Sequence, residues 1–403
     1  MSKRFSKILL STALFAGLLA GCSGGGGDQG AGNTGAGGGG KVADADVIKI
    51  GVNMELSGAV ASYGQSNTEG VELAVDEINA AGGIDGKKIE LIKVDNKSDA
   101  AEATNIAIRL TSQDKVNAII GASTSGNTVA QAQIANGTPT VLISPSGTSP
   151  TVTVKEDGSV NEYVFRTSFI DPFQGTVAAN FAANDLGVKN AAIFADNASD
   201  YAKGLAVAFK ETFEAAGGKI VVQDAYVAKD TDFRSTLTRI KSKNPEFIFI
   251  PGYYEEVGLI VKQAREMGIT APLMGGDGWD SPKLVELAGA EALNNTFMTN
   301  HYSAEDPNQK IQDFVTKFKE KYKGKSPDAF NGLGYDTVYL LKDAIERAGS
   351  LDPVAIKDAL AATKDLSLVT GTVTIDENHH PIKAITVIEF VDGKHQFKTK
   401  INP

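Results

Sequence analysis

Cysteine is all but missing from this chain: Cys22 is the only one in 403 residues. Without a second thiol no internal disulfide can form, so packing must hold the fold. Histidine is nearly as scarce. His301, His379, His380 and His395 are the only four, and none has the spacing of a metal site. The adjacent His379-His380, beside Pro381, reads as part of a solvent-exposed turn. There is no phosphate-cradling Walker loop and no Gly-x-Ser-x-Gly elbow. Nothing here demands an enzyme, and no cofactor or metal is expected. Basic residues are outnumbered, 39 to 49, giving a net charge of −10 at pH 7. That balance disfavours nucleic acid and anionic membrane surfaces as partners. Beyond the leader, no run is long and apolar enough to cross a bilayer.

What is present begins with that leader. Lys3, Arg4 and Lys7 precede a short apolar run over residues 8–18, which ends in Leu19-Ala20-Gly21-Cys22. A positive start, a short apolar stretch and small residues make a secretory signal. A cleavage site closing on cysteine resembles the bacterial lipobox. The resemblance implies a signal peptide over residues 1–21, acylation of Cys22 and a lipid anchor outside the cytoplasm. Residues 22–45 are mostly glycine and cannot bury enough apolar area to offset their ordering entropy, so they read as a flexible tether. A GxGxxG match within them follows no strand and carries no nucleotide-binding meaning.

The body, from about residue 46, exceeds one typical domain. Strand patterns at 47–52, 89–94, 116–120 and 140–143 alternate with helical patterns starting near Gln65, Ala100 and Thr128. A second series places strands at 191–195, 219–222, 246–250 and 272–274, again separated by amphipathic helices. Strands divided by helices mean βαβ units and parallel sheets covered on both faces. Two such series predict an α/β fold of two doubly wound lobes. The C-terminal third breaks the pattern, with helices at 308–323, 333–348 and 353–362. Residues 372–375 and 385–391 flank a turn and suggest a hairpin-like end.

In open parallel sheets, ligands bind beyond the carboxyl ends of the strands. In the first series those ends carry Asn53 to Gly58 with Tyr63, then Gly121 to Asn127, then Ser144 to Pro150. These are hydroxyls, backbone amides and a helix start, which suit a carboxylate. The second series offers Tyr201, Tyr253 and one acid, Asp277, set between glycines. A carboxylate flanked by tyrosines suits an ammonium group. Together the two lists describe a zwitterion, hence an α-amino acid. Trp279 is expected to pack at the cleft edge.

In order along the chain, Leu56-Ser57-Gly58 with Tyr63-Gly64, residues 74–84, Ile143-Ser144-Pro145, Phe165-Arg166-Thr167, Gln174-Gly175, Gly252-Tyr253-Tyr254 and Gly276-Asp277-Gly278 resemble one family. It is that of the leucine/isoleucine/valine-binding proteins of branched-chain amino acid ABC transporters. The resemblance implies two Rossmann-like lobes joined by three chain crossings. It assigns residues 46–169 and 301–378 to the first lobe, and 170–300 and 379–403 to the second. It places ligand carboxylate and ammonium contacts on Ser125, Ser146 and Thr148, tyrosine contacts on Tyr201 and Tyr253, and an aromatic pocket residue on Tyr63. The ammonium-binding acid falls on Asp277, where many members carry the longer Glu. The implied function is capture of a branched-chain or other apolar amino acid by a monomer that closes about a hinge and delivers it to a membrane permease. A ligand-sensing module docking to a receptor, or a binder of an amide, urea or aromatic acid, is the alternative.

Overall fold

The computed structural model describes residues 47–402; the leader, Cys22 and the glycine-rich tether lie outside them. The first series folds as β1 (Val47–Met54), α1 (Ala61–Ala80), β2 (Lys88–Asp95), α2 (Ala100–Arg109), β3 (Ala118–Gly121), α3 (Ser125–Gly137), β4 (Val141–Ser144) and β5 (Val164–Arg166). Its sheet has the order β2-β1-β3-β4-β5 and is parallel throughout. Buried on both faces, β3 and β4 are continuous apolar runs rather than alternating ones, as a covered parallel sheet requires. Helix α1 begins at Ala61 rather than Gln65, because the amides of Ala61 and Tyr63 already bond back to Gly58 and Val60. Tyr63 thereby sits in its first turn.

The second series contributes α4 (Asp171–Asn180), β6 (Asn190–Asp196), α5 (Asp200–Ala215), β7 (Lys219–Tyr226), α6 (Arg234–Ser242), β8 (Phe247–Phe249), α7 (Tyr254–Glu266), β9 (Leu273–Gly275), α8 (Pro282–Ala288) and β10 (Thr296–Asn300). After β10 come α9 (Gln309–Lys321), α10 (Ala329–Ala348) and α11 (Pro353–Ala361), then β11 (Leu366–Leu368), β12 (Gly371–Ile375), β13 (Pro381–Ile382), β14 (Ile385–Val391) and β15 (Lys394–Ile401). The second sheet runs β15-β14-β10-β9-β8-β6-β7. Strands β6 to β10 are mutually parallel where they pair, whereas β14 and β15 add antiparallel edges.

Helices α9 to α11 return to the first sheet. Phe314, Leu341 and Ile356 share one apolar core with Ile48 and Ile50 of β1 and Val71 of α1. The chain therefore passes between the sheets after β5, after β10 and after β13. The expected hairpin at the C-terminal end does not form. β12 pairs with β11 and β13 in a small third sheet, while β14 joins β10 and β15 in the second sheet. The third passage runs between Ile382 of β13, which pairs with β12, and Ile385 of β14, which pairs with β10. The turn at His379-His380 is also not solvent-exposed. His379 stacks on Phe165 with ring centroids 4.0 Å apart, and its Nδ1 donates to the Val164 carbonyl at 2.9 Å. The turn is folded against β5, which a local pattern of polar residues cannot reveal. No helix among the described residues is long and apolar enough to cross a membrane.

Candidate functional site

A small cavity lies between the carboxyl ends of the two sheets. Every ligand-contact residue expected from the sequence lines it: Tyr63, Ser125, Ser146, Thr148, Tyr201, Tyr253 and Asp277. Ser123, Thr124, Gly278 and Phe330 complete the wall.

The first-sheet wall is a set of hydroxyls held by buried polar side chains. Asn67 of α1 donates through Nδ2 to Ser123 Oγ at 2.9 Å and to Ser146 Oγ at 3.0 Å. Ser146 in turn donates to the Ser123 carbonyl at 2.9 Å. The loop after β4 is fastened from below by Arg166, fully buried at the end of β5. Its guanidinium donates to the carbonyls of Gly147 and Ser149, each at 2.8 Å, and to Thr153 Oγ1 at 3.0 Å. Burial lowers the guanidinium pKa to about 9, and Asp171 opposes that shift. Even so, the group stays charged near neutral pH.

The helix start expected to meet a ligand carboxylate is partly taken by the protein itself. Glu55, fully buried after β1, accepts from the amides of Ser123 and Thr124 at 2.9 and 3.1 Å. It also accepts from Thr124 Oγ1 at 2.7 Å and Asn127 Nδ2 at 2.9 Å. An anion at a helix N-terminus is the stable arrangement. What remains toward the cavity from this segment is the Ser125 region and the hydroxyls. Glu55 was not singled out in the sequence, because its partners lie 68 to 72 residues away.

The second-sheet wall is aromatic and acidic. Tyr201 and Tyr253 stack nearly parallel, with centroids 5.2 Å apart and planes at 4°. Tyr201 donates to Asp277 Oδ1 at 2.9 Å and accepts from the Gly278 amide at 2.9 Å. The glycines beside Asp277 are required by this approach: a Cβ on Gly276 would lie 2.5 Å from the Tyr201 hydroxyl. The Asp277 amide donates to Gln174 Oε1 at 2.7 Å. Burial drives the Tyr201 and Tyr63 hydroxyls well above their ordinary pKa, so both are neutral. Trp279 does not reach the cleft edge. It is wholly buried in the second-sheet core, with Nε1 donating to the Ile250 carbonyl at 3.0 Å.

The two walls also touch directly. Tyr63 donates its hydroxyl to the Gly278 carbonyl and accepts from the Tyr254 amide at 3.1 Å. Its ring stacks on Phe330 of α10, centroids 4.4 Å apart. Ser62 and Ser281 share a hydrogen bond of 2.7 Å across the same seam. No group of His, Cys, Asp and Glu among the described residues has the arrangement of a metal site.

Two sheets in this topology, with a small polar cavity between their carboxyl ends, match a known architecture. The family model described as "periplasmic binding protein" matches residues 47–395. The chain belongs to this family. A leucine-, isoleucine-, valine-, threonine- and alanine-binding protein of Pseudomonas aeruginosa is 30% identical over 83% of this chain and 87% of its own length. The branched-chain amino acid transporter substrate-binding protein LivJ of Streptococcus pneumoniae, solved in complex with isoleucine, is 41% identical. Its TM-score is 0.83, over 89% of this chain and all (100%) of that one. The leucine-binding protein LivK of Thermotoga maritima is 37% identical with a TM-score of 0.83, over 89% of this chain and 99% of that one. Periplasmic binding proteins of this kind bind solutes rather than transform them, and this member's cavity lies where the topology leaves one.

Proposed function

We propose that this periplasmic binding protein captures an apolar α-amino acid, branched-chain or similar in size, between its lobes and delivers it to an ABC permease. The observation that carries the reading is the opposed chemistry of one small cavity. Asp277, steadied by Tyr201, faces the hydroxyls of Ser125, Ser146 and Thr148 from the other lobe. A zwitterion presents an ammonium to the first and a carboxylate to the second, and charge-assisted bonds at both ends favour the closed form. Tyr63, Tyr253 and Phe330 provide the apolar surface for a side chain.

The leader ending in Leu-Ala-Gly-Cys supports a lipid-anchored form outside the cytoplasm, with the glycine tether letting the lobes reach the membrane. A diacylglyceryl mass on a mature N-terminal Cys22 is the expected finding, and an unmodified N-terminus there would remove the anchor.

The functional test is titration calorimetry with L-leucine, L-isoleucine and L-valine against their 2-keto acids. At least one amino acid should bind tightly and its keto acid poorly. Asp277→Asn removes one partner of a buried charge pair, a change that costs roughly 3–5 kcal/mol. Amino acid affinity should therefore drop by about two to four decades. Keto acids that bind as well as amino acids, or full affinity in the variant, would sink the assignment.

A further inference from the structure

Asp277 is gripped from behind as well as from the side. Its Oδ2 lies 2.9 Å from Nε2 of His301, the residue immediately after β10. His301 has 0% side-chain exposure and stands outside the cavity wall. Its ring stacks on Phe169, with centroids 3.9 Å apart and planes at 14°. Nδ1 is buried and has no hydrogen-bond partner among the described residues. That pattern fixes the tautomer: a proton on Nε2 is used by the carboxylate, whereas one on Nδ1 would be left unpaired in the interior. The carboxylate thus receives one donor on each oxygen, Tyr201 on Oδ1 and His301 on Oδ2. A carboxylate has about four acceptor positions, so room remains on the cavity side for an ammonium group.

We infer that His301 is a positioning residue: as a neutral imidazole it aims the short Asp277 side chain at the ligand's ammonium, and as an imidazolium it competes with that ammonium for the same carboxylate. The inference rests on the amino acid reading above. One buried carboxylate balances one cation, so a second positive charge beside it is uncompensated. Proton uptake by His301 and amino acid binding therefore oppose each other. Burial is the largest influence on this imidazole and lowers its pKa, with Lys383 acting the same way; Asp277 and, less strongly, Asp280 oppose it. Asp171, buried at the start of α4, and the neutral tyrosines Tyr63, Tyr201 and Tyr253 also bear on Asp277. Since the folded pKa lies below the ordinary value near 6.5, the neutral form prevails at pH 7.5. Affinity should then fall once the pH drops well below neutrality.

The test is calorimetry with L-leucine, L-isoleucine and L-valine at pH 7.5 and 5.0, a range in which their own charges do not change. Wild type should bind more weakly at pH 5.0 than at pH 7.5. His301→Gln offers an amide donor at the place of Nε2 but cannot take up a proton. It should bind within a few-fold of wild type at pH 7.5 and vary little with pH. His301→Leu should bind about tenfold or more weakly at pH 7.5 and likewise be insensitive to pH. Wild-type affinity in His301→Leu, or the same pH dependence in wild type and His301→Gln, overturns the inference while leaving the amino acid reading intact. Failure of wild type to bind any of the three at pH 7.5 overturns both.

Discussion

Thr148 illustrates how little of a site residue's role is visible in its own bonds. It is 1% exposed, and its carbonyl accepts from the Asp171 amide at 3.1 Å, which ties the first-lobe loop to the start of α4. Its side chain lines the cavity and also faces the buried Asp171 carboxylate, opposing the rise that burial causes in that acid's pKa. Thr148→Val keeps the shape and the backbone bond while deleting the hydroxyl. Loss of a bond to a charged ligand group costs about 1.5–3 kcal/mol. Calorimetry should therefore show affinity falling by about ten- to a hundredfold. Unchanged affinity would make Thr148 a cap for the loop and nothing more. Arg166 stands one layer further back: it never reaches the cavity, yet it holds the carbonyls on either side of Thr148.

Helices α1 and α10 press together backbone to backbone, and glycine on each makes that possible. A Cβ on Gly70 would lie 2.0 Å from the Asn331 carbonyl oxygen, and one on Gly334 would lie 2.1 Å from that of Asn67. The contact matters to the cavity because Asn67 is the residue that orients Ser123 and Ser146. At the N-terminus of α10, Asp328 and Asn331 form a reciprocal capping box, and Phe330 is thereby set against Tyr63. Gly334→Ala must push the helices apart. Overpacking of this kind typically costs about 1–3 kcal/mol. Thermal melting should show a drop of several degrees, and amino acid affinity should fall with it as the serine hydroxyls shift. A melting curve identical to wild type would mean that the helices separate freely and that their spacing does not set the site.

Across the whole molecule, closure is recorded in a seam of direct bonds. Tyr63 joins α1 to the Gly278 carbonyl and the Tyr254 amide, and Ser62 meets Ser281 beside it. These bonds exist only while the lobes are together, so they bias the open–closed equilibrium without selecting among side chains. Tyr63→Phe retains the stack on Phe330 but leaves a buried carbonyl and amide unpaired, at about 1–3 kcal/mol. Dissociation should quicken by about five- to a hundredfold for every amino acid ligand alike, with association little altered. Solution scattering of the ligand-free variant should report a more open particle. A changed order of preference among amino acids at an unchanged dissociation rate would show instead that Tyr63 reads the ligand side chain.

Local periodicity was enough to expect two parallel sheets, and the topology rule then pointed to the loops that meet at the cavity. Ser125, Ser146, Thr148, Tyr201, Tyr253 and Asp277 were legible because each follows a strand closely, and strand ends converge whatever the details of packing; Tyr63 joins them from the first turn of α1. Tertiary structure alone decided what holds those residues. Glu55 at the start of α3, Arg166 beneath the β4 loop, Asn67 behind the serines and His301 behind Asp277 all act over long sequence separations. The burial of His379 and the separate sheets of β12 and β14 have the same origin. A side chain's neighbours along the chain set its backbone conformation, but its charge state and hydrogen-bond partners depend on which distant segment is packed against it.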